Sequence, residues 1–158
     1  LNAILKLVSL KGERALPVEE FTLDYFETAL EPDELLVEIQ VPVVPPHTGT
    51  AYTKFNVIEG DMAIIGTAVS ITLDEGDTTC KDIRIVLGAA ASTPIRAKKA
   101  EGVLRGKKIT DTLLEKAGQT ASEEAEPISD IHASEEYRRE LIKVLVKRIA
   151  KQALARAK

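Results

Sequence analysis

The residue types that most often carry chemistry are few in this chain and poorly spaced for it. His47 and His132 stand far apart in sequence, each in a stretch that reads as loop. Neither has the neighbours that a metal site or a nucleophile-activating base needs, so solvated loop histidines are expected. Cys80 is the single cysteine. It excludes an internal disulfide, a Cys-based zinc cage and an iron–sulfur cluster held within the chain. Gly102 and Gly106-Lys107-Lys108 fall one residue short of a phosphate loop, with Lys108 where a metal-binding hydroxyl belongs. A helix end is the better reading. Glu123, Glu124, Glu126 and Asp130 form an acidic group without EF-hand spacing, which reads as a wet helix terminus. The 3 Phe and 3 Tyr, with no Trp, are too few for a base-stacking platform. Phe21, Tyr25 and Phe26 crowd one stretch and are expected to form a small core around a turn. No catalytic residue emerges from residue chemistry alone.

The elements that must position any site follow from periodicity. At 158 residues, 44% hydrophobic and 29% charged, the chain has ordinary globular composition and length enough for one core. A formal charge of −4 argues against a nucleic-acid binder, which usually carries a basic excess. No apolar run approaches the roughly 18 residues that span a bilayer, and no signal-peptide pattern opens the chain. A reducing compartment, the cytoplasm, is expected. Leu1 begins at once in strand-like sequence with no initiator Met, which reads as a chain cut from something longer.

Residues 1–92 read mainly as strands and 93–158 mainly as helices. A hairpin pairs 3–9 with a segment near Arg14 to Leu16, followed by a turn or short helix over 17–23. Residues 36–41 alternate, predicting a strand with one buried and one wetter face. Further strands are predicted over 51–58, 68–73 and 83–87, the last two joined by a turn at Asp74-Glu75-Gly76-Asp77. Thr93-Pro94 reads as a helix start, with that helix ending near Gly106. Thr110 caps a second helix and Ser134 a third, whose Leu141, Leu145 and Ile149 share a stripe with Ile142, Val146 and Ala153 beside it. Most Lys and Arg of that helix lie opposite. This order predicts an α+β fold: a mainly antiparallel sheet of about four strands with about three helices on one face.

Several stretches, taken in order, resemble a known family. Tyr25-Phe26-Glu27-Thr28-Ala29-Leu30-Glu31-Pro32-Asp33-Glu34-Leu35-Leu36 is similar to a motif of carbon monoxide dehydrogenase-type flavoprotein (medium) subunits, with Asp33 in place of the usual Gly. These belong with the xanthine dehydrogenase and molybdenum hydroxylase proteins. Ala51-Tyr52-Thr53-Lys54-Phe55 with Gly60-Asp61-Met62-Ala63 resembles the family's flavin-proximal segment. Ile85-Val86-Leu87-Gly88 through Thr93-Pro94-Ile95-Arg96-Ala97, then Pro127-Ile128-Ser129-Asp130 and Ser134-Glu135-Glu136-Tyr137-Arg138, resemble its later segments.

The resemblance implies that residues 1–158 form one C-terminal domain, packing on a separate N-terminal FAD-binding domain absent from this sequence. It implies FAD as cofactor, held mainly by that domain, with the molybdenum cofactor and [2Fe–2S] clusters on partner subunits. The implied partners are the N-terminal FAD-binding domain, an iron–sulfur small subunit and a molybdenum large subunit, the last of which would select the substrate. Three positions carry over as cofactor-binding candidates. Lys54 matches a lysine near the flavin's pyrimidine edge, where a cation favours the anionic reduced ring. Met62 stands where some relatives place a ring-stacking Tyr, and its thioether can still contact an aromatic face. Asp61 is the acidic neighbour that shapes the turn. The implied work is covering the flavin and helping electrons pass from iron–sulfur clusters to FAD. The alternatives are a dimerisation or docking module of the same fold, and a free-standing small hydrolase.

Overall fold

The computed structural model describes residues 1–76 and 78–158 and divides at the proline-rich stretch after residue 41 into two units, Leu1–Val44 and Pro45–Lys158. Pro42, Pro45 and Pro46 have no amide to give a strand ladder. The strand before them pairs backwards, with the chain's first strand, and not with anything that follows.

In Leu1–Val44, β1 (Ile4–Ser9) and β2 (Gly12–Pro17) form the predicted hairpin. A short 3-10 turn, Val18–Glu20, leads into the small hairpin of β3 (Thr22–Asp24) and β4 (Glu27–Thr28). Strand β5 (Leu35–Gln40) adds to the other side of β1, giving the order β2-β1-β5. The buried core is small: Leu5, Leu7 and Leu16, with Phe21, Ala29 and Leu30 partly buried against them. Arg14 ties β2 to the later turn, donating from Nε and Nη2 to the Glu34 carboxylate at 2.6 and 2.7 Å. That guanidinium, with the Glu31 backbone, holds the Glu34 carboxyl at about 2.

Two expectations fail in this unit. All six residues of β5 are exposed, so the alternation there marks no buried face. Leu5 and Leu7 of β1 are covered by Leu16 and its neighbours, and that small cluster stops short of β5. Of the three clustered aromatics only Phe21 joins a core. Tyr25 and Phe26 sit at the β3–β4 tip, where Phe26 is fully exposed with φ +56°.

In Pro45–Lys158, β6 (Thr48–Phe55), β7 (Ile65–Leu73), β8 (Cys80–Gly88) and β9 (Ile95–Arg96) form one antiparallel sheet in that order. Helices α1 (Lys98–Leu104), α2 (Asp111–Glu124) and α3 (Glu135–Ala157) follow. The period of two is realised on β7 and β8: Ile65, Val69, Ile71, Ile83, Ile85 and Leu87 are buried on one face. They meet Leu114, Ile142, Leu145, Val146 and Ile149 of the helices. The α+β arrangement is as expected. Helix α3 packs on β6 and β7, so closely that a Cβ on Gly49 would stand 2.0 Å from the Ala153 carbonyl oxygen. Among the described residues, no helix is long and apolar enough to cross a membrane.

Thr110 and Ser134 cap as predicted, accepting from the Leu113 and Tyr137 amides. The Asp74 carboxylate accepts the Thr78 and Thr79 amides at the β7–β8 connection. Asp77, part of the predicted turn, lies outside the described residues. Thr93-Pro94 does not start a helix. Ile95 and Arg96 first pair with Leu87 and Val86, and α1 begins only at Lys98. Its start has no local side-chain cap. Instead the Glu124 carboxylate accepts the Lys99 and Ala100 amides at 2.9 and 2.8 Å, so this member of the acidic group is a remote cap. Where β9 stops, the Glu101 carboxylate, 1% exposed, accepts the next β8 amide, Ile85, at 3.0 Å and the Arg96 guanidinium at 2.6 Å. At the opposite edge Arg156 donates to the Thr50 carbonyl at 2.7 Å.

Candidate functional site

The sheet of Pro45–Lys158 has helices on one face only, and the expected site residues lie on or beside the other. On β6, Gly49 and Ala51 are buried while Thr50, Tyr52 and Lys54 are exposed, so Lys54 projects from the side away from α3. Lys54 pairs with Gly66 on β7, which pairs with Gly88 on β8. Two glycines side by side place no side chains of their own next to the lysine; Gly66 is buried and Gly88 half-buried. The Tyr52 hydroxyl lies beside that pair, 3.7 Å from where a Gly66 Cβ would be.

Residues 56–64 form the β6–β7 connection, closed at its base where the Ile64 amide donates to the Phe55 carbonyl at 2.8 Å. Within it, the Asp61 amide returns to the Ile58 carbonyl at 3.1 Å, with Gly60 at φ +89°. That third turn position demands positive φ, which explains glycine there. The Ile58 carbonyl also accepts the Asn56 side-chain amide at 2.7 Å.

This turn brings the three expected residues together. The Lys54 ammonium donates to the Asp61 backbone carbonyl at 2.8 Å, and the Asp61 carboxylate accepts the Met62 amide at 2.8 Å. Met62 is 78% exposed, and Val57 and Ile58 beside it are exposed too. The result is a cation anchored by one of its hydrogens, with an apolar loop wall next to it. Ile64 and Ile65 are fully core residues, as their apolar continuation predicts. Among the described residues, no group of three His, Cys, Asp or Glu side chains could hold a metal ion.

Sequence reasoning missed Arg138. Its side chain is buried, donating to the Ile64 carbonyl at the base of the loop and to Asp130 at 2.6 Å. A signal existed: positions 138, 142, 145 and 149 form one stripe of α3, and a cation on an apolar stripe requires a buried partner. Asp130 supplies it, and its carboxyl is held at about 2 by the His132 and Ala133 amides together with Arg138. The glycine pair was missed as well, because it exists only once the strand register is known.

Residues 50–153 match the model of the CO dehydrogenase flavoprotein C-terminal domain. The chain belongs to that family. Residues 1–44 match a second model, the FAD binding domain in molybdopterin dehydrogenase. The two matches divide where the structure divides. The 6-hydroxypseudooxynicotine dehydrogenase complex subunit alpha of Paenarthrobacter nicotinovorans is 35% identical over 158 residues, 100% of this chain and 53% of that protein. The carbon monoxide dehydrogenase medium chain of Afipia carboxidovorans is also 35% identical, over 100% of this chain and 54% of its own length. Carbon monoxide dehydrogenase from Hydrogenophaga pseudoflava superposes with a TM-score of 0.92 at 35% identity, covering 98% of this chain and 53% of that one. The chain therefore spans about half the length of the relatives it matches.

The family of this flavoprotein domain implies FAD. The residues present suit it on the open sheet face: α3 lies behind β6, leaving Lys54 and Met62 exposed, and the glycine pair adds no side chain there. A surface carrying one cation and an apolar wall fits the edge and face of a planar, electron-accepting heterocycle.

Proposed function

We propose that this chain is the flavin-covering part of the FAD-binding medium subunit of a molybdenum hydroxylase-type oxidoreductase. One observation carries the reading: Lys54, Asp61 and Met62 meet in a single hydrogen-bonded turn on the helix-free face of the sheet. FAD, when bound, supplies the redox chemistry. Lys54 presents positive charge toward the ring edge where negative charge gathers on reduction, which raises the flavin's potential. Asp61 fixes the lysine through its backbone carbonyl and shapes the turn through its carboxylate. Met62, with Val57 and Ile58, excludes water from the ring. In the assembled enzyme, [2Fe–2S] clusters on a small subunit and the molybdenum cofactor on a large subunit would supply the electrons that FAD accepts, and this chain would help dock those subunits. The buried, unpaired Cys80 suits a cytoplasmic setting.

The test is Lys54→Ala in the complete FAD-loaded medium subunit. The flavin midpoint potential falls, by an amount equivalent to about 1 kcal/mol for a charge at a wet surface, and the visible flavin bands shift. An unchanged potential and spectrum removes the flavin role and leaves a docking module of the same fold.

A further inference from the structure

Arg138 is 4% exposed, and its hydrogen bonds join segments that are distant in sequence. Its Nη1 donates to the Ile64 carbonyl and lies 3.5 Å from the Ala89 carbonyl, while Nη2 donates to Asp130 Oδ2 at 2.6 Å. Asp130 is itself fixed, its Oδ1 accepting the His132 and Ala133 amides at 2.9 and 3.0 Å. Ala89 is one of the few non-glycine residues at positive φ, +56°. Three loops (56–64, 89–94 and 127–133) thus converge on one guanidinium at the start of α3.

The convergence matters because of what Ile64 does. Its amide closes the β6–β7 loop onto Phe55, and its carbonyl is held by Arg138. Met62 and Asp61 lie two and three residues upstream. The loop that grips Lys54 is therefore tied at its returning end, Ile64, both to β6 through the amide and to α3, on the far side of the sheet, through the carbonyl and Arg138. A purely apolar core could hold α3 without a buried charge, whose desolvation can exceed what its pairing returns. Planar, multiply donating guanidinium is the group that can hold two carbonyls and a carboxylate in one plane.

We propose that Arg138 is a positioning residue: by clamping the Ile64 carbonyl it sets where Asp61 and Met62 stand over the open sheet face, and so where Lys54 presents its charge to the flavin. This rests on the flavin reading above. The clamp acts on the loop whether or not a flavin is present, so it has a readout of its own.

The experiment uses the complete FAD-loaded medium subunit with Lys54→Ala, Arg138→Lys and the double variant Arg138→Met/Asp130→Asn, which leaves no unpaired charge behind. Hydrogen exchange of residues 61–64 is measured beside that of β7 and β8, with the flavin potential and visible spectrum. The double variant keeps β7 and β8 protected, exchanges the Met62 and Ile64 amides roughly tenfold faster, and moves the flavin potential in the same direction as Lys54→Ala. Arg138→Lys, which keeps the charge but not the fork, falls between and serves if the double variant does not fold. Unchanged exchange at 61–64 overturns the clamp. A loosened loop with the flavin unmoved, while Lys54→Ala moves it, overturns the positioning role. If Lys54→Ala is silent as well, the flavin reading falls and takes the positioning role with it.

Discussion

Ile39 and Ile85 both lie in antiparallel strands of alternating sequence, yet Ile39 is 59% exposed and Ile85 fully buried. The difference lies in what their units bring to them. Pro45–Lys158 supplies three helices for its sheet, and Leu1–Val44 supplies a 3-10 turn and a small hairpin. Charge divides at the same place. Leu1–Val44 has three basic and nine acidic residues, a net of −6, while Pro45–Lys158 has 18 and 16, a net of +2. Alternation states which side chains share a face. It does not state whether anything covers that face.

The largest effect is expected at Gly49→Ala. The added methyl meets helix backbone, not a side chain that could swing away, so α3 must lift from β6. We expect a loss of more than about 3 kcal/mol in urea denaturation; a loss near zero would mean that α3 is not seated on β6 as described. Next is Leu7→Ala, which removes one of three buried leucines from the first unit. A cost of about 2–5 kcal/mol is expected, with exchange protection lost in β1, β2 and β5 and retained in β7 and β8. Equal loss in both units would show that they melt as one cooperative body.

Acid sharpens the contrast, since a strongly depressed carboxyl stands in each unit. Glu34 in the first and Asp130 in the second titrate at about 2, against ordinary values of 4.5 and 3.8. A folded pKa below the unfolded one means the stabilisation is complete above the ordinary value. It is lost as pH falls through about 2. Glu34→Gln should flatten this acid dependence in the first unit alone, and Asp130→Asn in the second alone, read from resolved amide signals. The smallest effect is expected at Gly102→Ala, inside α1, where a methyl meets nothing within 4 Å. It should stabilise the second unit by about 0.5–1 kcal/mol.

What was legible in the sequence was local. Strands β6 to β8 follow from alternation, and α2 and α3 from their stripes and from Thr110 and Ser134, whose caps act three residues away. What was not legible was long-range. The start of α1 depends on Glu124, far along the chain, and on strand pairing that claims Ile95 and Arg96 first. The division at Val44 depends on β5 turning back to β1. Lys54, Asp61 and Met62 were singled out by family resemblance as candidates, and only the turn centred on Gly60 explains why residues seven apart touch. Arg138 needed the loop it holds to be seen.

The Glu101 carboxylate at the end of β9 has a consequence beyond holding Arg96. It occupies the first β8 amide that β9 leaves open, while Arg156 takes a carbonyl on the opposite rim. A strand from another molecule would have to displace a buried ion pair at one border and a guanidinium at the other before it could zip on. Runaway sheet extension is thereby discouraged at both borders of this sheet.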